Sequence, residues 1–285
     1  MKPANEFRAS LQLRAVGREL ARWREDAGLT GAEVSRRGGF SQSKVSKLEN
    51  AAQWIAPADV VALGLIYGTP KNERDAVTHA AMRAHDPRLW DAMGRELPCA
   101  RWDYSDVEAE ASEIRGLATD VLPPILRTPE YALAVASAQA ITVAEHVRPF
   151  GLERHRRQQD RLRADPPLRV QLVVGEAVLR QPTGGRRVMA DQLVRLLALA
   201  ELPSVTVRVL PSGLGAYPGM GTPFTVLSFT EERFDDVVHS GRLGGETWIE
   251  SVGERLPYEE PFTKATGMAC GETSSLNVIA EAVGP

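Results

Sequence analysis

Residues 41–50 read SQSKVSKLEN, and the fold of the amino-terminal region turns on them. As a short helix the stretch offers only Val45 and Leu48 as plainly apolar positions. Gln42, Ser43, Lys44, Ser46 and Lys47 are left facing away from any core. Ser41 is a suitable N-cap, and Phe40 has the spacing from Val45 of a hydrophobic staple. Upstream, in VGRELARWREDAGL, Val16, Leu20, Trp23 and Ala27 recur at helical spacing and predict one apolar stripe. Gly28 follows as a helix stop. Thr30 and Glu33 have the spacing of a capping box for the next helix, TGAEVSRR, which Gly38 and Gly39 end. Downstream, a fourth helix is expected from Pro57 to Tyr67 and a fifth over 71–84, before the Asp86-Pro87 turn.

Two helices joined by a tight glycine-containing turn, the second short and polar, make the helix-turn-helix pattern. Val45 and Leu48 would pin the second helix, freeing Gln42, Ser43, Ser46 and Lys47 to enter a major groove about 12 Å wide. Short polar side chains let the backbone approach base edges. A glutamine can pair bidentately with adenine, and a lysine can donate to guanine or to phosphate. The positive helix N-terminus favours phosphate, so Ser41 and Lys44 are the expected phosphate contacts.

Composition agrees with this reading and narrows the rest. A hydrophobic fraction of 43% and a charged fraction of 25% over 285 residues describe a globular chain long enough for two domains. Residues 1–84 carry 13 Lys+Arg against 9 Asp+Glu, a net of +4, while 85–285 carry 21 against 28, a net of −7. A basic module on an acidic body is the layout of a nucleic-acid binder with an attached regulatory domain. No apolar run approaches the roughly 18 residues of a membrane span, and MKPANEFRAS lacks a secretory apolar stretch. Cys99 and Cys270 show no CxxC pairing, so neither a disulfide framework nor a zinc site is expected. A cytoplasmic, nucleoid-associated protein is the expectation.

Residues 85–110 read as a connector, with Pro87, Gly94 and Pro98 breaking any period. Beyond them, 111–285 predict an α+β regulatory or partner-binding domain with a small mixed sheet. LRVQLVVG (168–175), SVTVRVLP (204–211), PFTVLSF (223–229) and DDVVHS (235–240) carry strand patterns, with Val205, Val207 and Val209 alternating. Helices are expected at Thr128-Pro129, in the arginine-rich 154–164, in RRVMADQLVRLLALAEL, and over 250–283. DVEAEASEIRGLATD is open between helix and strand.

Residues 13–67 resemble the lambda-repressor/Cro-like (XRE) DNA-binding domain, carried by LARWREDAGLTGAEVSRR and SQSKVSKLENA. The resemblance implies a five-helix module in which positions matching Gln42, Ser43 and Lys47 read bases, while Thr30 and the start of helix two brace phosphates. The chain departs from the family at Gly31, where glutamine is frequent, and at Gly38, where an apolar residue is usual. AAQWIAP also lacks the common basic loop. Residues 105–283 are similar to the carboxy-terminal domain of the actinobacterial WhiJ-like developmental regulators, through VLPPILRTPEYALAV, LVVGEAVLRQPTGG, LLALAELPSVTVRVLP, GAYPGMGTPFTVLSF and VVHSGRLGGETW. This implies transcriptional control, often with a small partner protein encoded alongside.

Other motifs are weaker. SGLGAYPGMGT (212–222) lacks GK[ST] and reads as a connecting loop, with Tyr217 and Met220 as candidate ligand or partner contacts. LRQPTGG reads as turn chemistry or, secondarily, an anion contact. The run Arg154, Arg156, Arg157, Arg161, Arg163 reads as a solvated helix face or a second DNA contact. Trp54 is open between packing under the Pro57 turn and lying on the DNA backbone. His79, His85, His146, His155 and His239 show no metal spacing, Asp235-Asp236 and Glu259-Glu260 have no partner geometry, and no GxSxG elbow occurs. No cofactor, metal or enzymatic activity is expected. Two readings stand: a homodimeric regulator of double-stranded DNA whose carboxy-terminal domain senses a partner or ligand, and an interaction protein of a toxin–antitoxin-like pair with autoregulatory DNA binding.

Overall fold

The computed structural model describes residues 7–85, 104–139, 147–242 and 245–284. Most of the expected connector lies outside the described residues, as do Cys99 and His146. The chain divides into two units, residues 1–104 with the short segment 231–235, and residues 105–230 with 236–285.

The first unit is built from five helices: α1 (Leu11–Asp26), α2 (Gly31–Gly38), α3 (Gln42–Glu49), α4 (Pro57–Tyr67) and α5 (Lys71–His85). Leu13, Val16, Leu20 and Trp23 form the buried stripe of α1, joined by Val34, Val45, Leu48, Ile55, Val60, Leu63 and Val77. Ala27, expected on that stripe, is instead the exposed C-cap, its N–H bonded to the Trp23 carbonyl. Ser10, Thr30 and Ser41 cap α1, α2 and α3 through their hydroxyls, and Pro57 opens α4. Phe40 packs against the core, as its staple spacing predicts.

Two glycines let these helices approach. A methyl on Gly17 of α1 would stand 2.7 Å from the Glu49 carbonyl oxygen and 2.8 Å from that of Leu48, so α1 meets the end of α3 backbone to side. A methyl on Gly38 would overlap Ile66 Cδ1 at 2.1 Å. Ile66 of α4 thus fills the space beside Gly38.

The second unit is α+β. Helix α6 (Tyr104–Glu110) falls within the stretch read as connector, and strand β1 (Glu113–Ala118) resolves the reading left open for this region. Then follow α7 (Pro129–Gln139), α8 (Val147–Arg163), β2 (Arg169–Gly175), the short α9 (Glu176–Arg180), α10 (Arg186–Ala200) and β3 (Val205–Leu210). The chain closes with β4 (Phe224–Ser228), β5 (Val237–Arg242), β6 (Gly245–Ile249), α11 (Val252–Met268) and α12 (Glu272–Val283). One six-stranded mixed sheet runs β3-β2-β1-β4-β5-β6. β1, β2 and β3 are parallel, and β4, β5 and β6 continue antiparallel. The sheet is larger than expected because β1 and β6 join the four strands read from the sequence.

Leu117, Val173, Leu210, Phe224, Val226 and Val238 bury one face against Phe262 and Ala265 of α11. Ile114, Val170, Leu172, Val174, Val205, Val207 and Val209 are buried as well, so the parallel strands are covered on both sides. The outer edge of β3 is closed by a side chain and a loop amide: Val209 N–H donates to Ser275 Oγ at 3.0 Å, and Cys270 N–H donates to the Val209 carbonyl at 2.9 Å.

Candidate nucleic-acid interface

α3 owes its form to its two ends. Ser41 Oγ accepts the Lys44 N–H at 3.0 Å, and Val45 and Leu48 are fully buried. Gln42, Ser43, Ser46 and Lys47 are exposed, on the side that the two apolar anchors leave free. Gln42 has a neighbour in α2: a methyl added at Gly31 would lie 3.3 Å from Gln42 Cγ. Gly31 therefore leaves room for the Gln42 stem to lie against the start of α2. Asn50 Nδ2 donates to the Ser46 carbonyl at 2.9 Å and closes the far end of the helix.

The residues expected at phosphates are placed less uniformly. Thr30 Oγ1 donates to Glu33 Oε2 at 2.7 Å and accepts the Glu33 N–H at 3.3 Å, while the Thr30 N–H reaches Glu33 Oε2 at 2.8 Å. That capping box holds the exposed Glu33 carboxyl below its ordinary value, through the Thr30 backbone hydrogen bond first and the Thr30 side-chain bond next. Lys44 is only half exposed; its Nζ donates to Asp59 Oδ1 at 2.8 Å and lies 5.0 Å from the Phe40 ring centre. Its charge is partly compensated within the unit, whereas Lys47 has no ion pair among the described residues.

A network that periodicity does not reveal anchors the end of α3. Arg24 grips Glu49 with two parallel bonds, Nε to Oε1 at 2.8 Å and Nη2 to Oε2 at 3.1 Å, and donates from Nη1 to the Leu29 carbonyl at 3.1 Å. Tyr67 Oη of α4 stands 3.5 Å from the same Glu49 carboxylate. The Glu49 hydrogen bond raises the Arg24 pKa; burial, followed by the Glu49 charge, raises that of Tyr67. A bidentate pair fixes direction as well as distance, so the angle of α3 is set from both α1 and α4. Arg24 and Glu49 are 25 residues apart, and no local spacing links them.

Trp54 is 52% exposed and meets Phe7 edge to face, with ring centres 5.4 Å apart. In the second unit Met220 is 60% exposed. Tyr217 is partly buried near the carboxyl end of β2, where its hydroxyl would lie 3.8 Å from a methyl on Gly175. Burial, then Asp120, raises the Tyr217 pKa. The glycine-rich loop has a structural cause: Gly219 takes φ +83°, and a methyl there would press on Leu117 at 2.7 Å. Glu259 and Glu260 lie on α11, where Glu260 pairs with Lys264, while Asp236 lies 3.7 Å from Arg115 and 3.8 Å from Arg255. Among the described residues no cluster of His, Cys, Asp and Glu could hold a metal ion, and no helix is long and apolar enough to cross a membrane.

The helix-turn-helix domain family matches residues 15–77. With the geometry of α2 and α3, this makes the protein a DNA-binding regulator of the helix-turn-helix class. A second family, described as a domain of unknown function (DUF5753), matches residues 102–281. The chain belongs to the DUF5753 family. No curated protein and no solved structure matches it at a significant level.

Proposed function

We propose that the protein is a sequence-specific transcriptional regulator that acts by binding rather than by catalysis. In this reading α3 lies in the major groove, with Gln42, Ser43, Ser46 and Lys47 at base edges. Thr30, Ser41 and the two helix N-termini face phosphate, and Lys44 adds a partly compensated charge. The observation that carries the reading is the division of α3 into two fully buried anchors and four exposed polar side chains. A helix kept for packing alone has no need of that face. One helix-turn-helix covers few base pairs, so a homodimer on a two-fold site follows. The acidic carboxy-terminal domain, which phosphate repels, holds that dimer and receives a ligand or a small partner protein encoded alongside, with Tyr217 and Met220 as candidate contacts.

Selection of random duplexes by the intact chain tests this. A two-fold motif should be enriched, and Gln42→Ala should weaken binding to it by about 1–3 kcal/mol while relaxing preference at one base pair of each half-site. Equal loss on every duplex would reduce Gln42 to an anchor, and no enrichment at all would remove the proposal.

A further inference from the structure

The first unit is not made of one stretch of chain. Residues 231–235, on the connection between β4 and β5, belong to it. They fold into a short turn, in which the Phe234 N–H donates to the Glu231 carbonyl at 2.9 Å and Arg233 Nη1 lies 2.9 Å from Glu231 Oε2. The turn meets the start of α1 in two ways. The Ala9 N–H donates to the Arg233 carbonyl at 3.0 Å, one residue before the Ser10 N-cap. Four residues beyond that cap, the Arg14 guanidinium lies over the Phe234 ring, 3.9 Å from its centre. Arg14 is only 3% exposed, and Phe234 packs against the same core as Leu13, Val16 and Leu20.

A guanidinium this deeply buried depends on what faces it, and an aromatic face at this distance attracts the charge while keeping water away. The turn therefore fixes both the entry to α1 and its first turn. In its own right α1 holds α3: Gly17, three residues beyond Arg14, meets the Leu48 and Glu49 carbonyls, and Arg24 grips Glu49. The other end of the turn has little slack. Asp235 alone separates Phe234 from Asp236, whose carboxylate lies 3.7 Å from Arg115 of β1 and 3.8 Å from Arg255 of α11. Val237, the next residue, already pairs with Leu227 of β4. A shift of β4 or β5 is thus carried along the chain to the Phe234 ring.

We propose that residues 231–235 are a clasp on the start of α1. They complete the DNA-binding unit, and displacement of the β4–β5 connection loosens α1 and with it the hold on α3, so that affinity for DNA falls. The sign follows from what the clasp touches. Its contacts are with α1, and Gln42, Ser43, Ser46 and Lys47 remain exposed while it is in place. It therefore supports the groove-reading face rather than masking it. The regulatory half rests on the reading of α3 given above; the clasp as a part of the first unit stands by itself.

Hydrogen exchange of the intact chain, without DNA, tests the clasp. Phe234→Ala should speed exchange roughly tenfold at the Arg14–Leu20 amides of α1, the scale of taking a half-buried ring out of a core. The Val170–Val174 amides of β2 and the Val205–Val209 amides of β3 should exchange as in the parent. Phe234→Leu keeps the apolar bulk without the ring face, and should give a smaller rise at the same amides even if the alanine variant unfolds the first unit. Arg14→Met should raise exchange there in the parent and add little in Phe234→Ala, because the two side chains act as a pair. Affinity of Phe234→Leu for the duplex that the parent enriches should fall by about three- to tenfold, as α3 must then be re-ordered on binding. Unchanged exchange in α1, an equal rise in β2 and β3, or additive effects of Arg14→Met and Phe234→Ala overturns the clasp. Equal or tighter DNA binding by Phe234→Leu overturns its regulatory half. The exchange experiment contains no DNA, so a chain that enriched no duplex would remove the reading of α3 and leave the clasp in place.

Discussion

Lys47 and Lys44 show how two like residues three apart come to differ. Both sit on the same short helix, but Lys44 Nζ already has the Asp59 carboxylate at 2.8 Å, and Lys47 has no such compensation among the described residues. An ammonium at a base edge still lies within reach of the flanking phosphate, so Lys47→Ala should reduce the slope of log affinity against log salt by up to about one, and Lys44→Ala should change it less. Equal slopes for both variants and the parent would show that neither ammonium meets phosphate. Glu33 makes a second case. The Thr30 hydrogen bonds lower its folded-state pKa, so its contribution is present above the unfolded value of about 4.3. It is lost as pH falls through the lower folded value. Amide spectra of Thr30 and Glu33 should move together as pH falls below the ordinary glutamate range, and Glu33→Gln should abolish that movement. Amides that titrate unchanged in the variant would show that the capping box is not the titrating group.

Among the elements, α3 depends most on others for its place. Eight residues with two apolar anchors are too few to form a stable helix alone. Its position comes from the Arg24–Glu49 grip, the Tyr67 hydroxyl and the close passage of α1 at Gly17. Glycine to alanine inside a helix ordinarily stabilises by about 1 kcal/mol. At Gly17 the sign should reverse, because the methyl meets two backbone carbonyls that cannot rotate away. Gly17→Ala should cost about 1–3 kcal/mol in a denaturant melt and weaken operator binding as α3 is pushed outward. A more stable Gly17→Ala would show that α1 and α3 are free to separate.

At the scale of the whole molecule, the proposed regulator needs assembly to use the polar face of α3. The intact chain should sediment as a dimer of twice 31.1 kDa, and a fragment of residues 105–285, which holds the sheet and its own core, should also be dimeric. A monomeric fragment beside a dimeric intact chain would move the contact to the helix-turn-helix unit, where Val61 and Leu65 on α4 and Met82 on α5 are exposed apolar side chains. Leu65→Asp in the intact chain then separates the two cases: it leaves the dimer whole if the carboxy-terminal domain holds it, and splits it otherwise. Tethering matters because two weak half-site contacts become one tight one only through the effective concentration that the dimer imposes.

The amino-acid sequence by itself determined the five helices of the first unit, the Thr30 and Ser41 caps and the stops at Gly28 and Gly38-Gly39, while the Ser10 cap of α1 and the Gly68 end of α4 were seen only in the fold. Caps and turns act over three or four residues, and the apolar stripe repeats at helical spacing. It likewise determined four strands of the sheet through apolar, β-branched runs that alternate strictly only at Val205, Val207 and Val209, and the polar face of α3. Tertiary structure decided the rest. β1 and β6 form because neighbouring strands pair with them, since EIRGLA and GETWI carry too little alternation to be read alone. Glu49 became an anchor only when folding brought Arg24 and Tyr67 to it, and Gly31 became a seat for Gln42. Contacts between residues tens of positions apart are set by packing, and local pattern does not encode them.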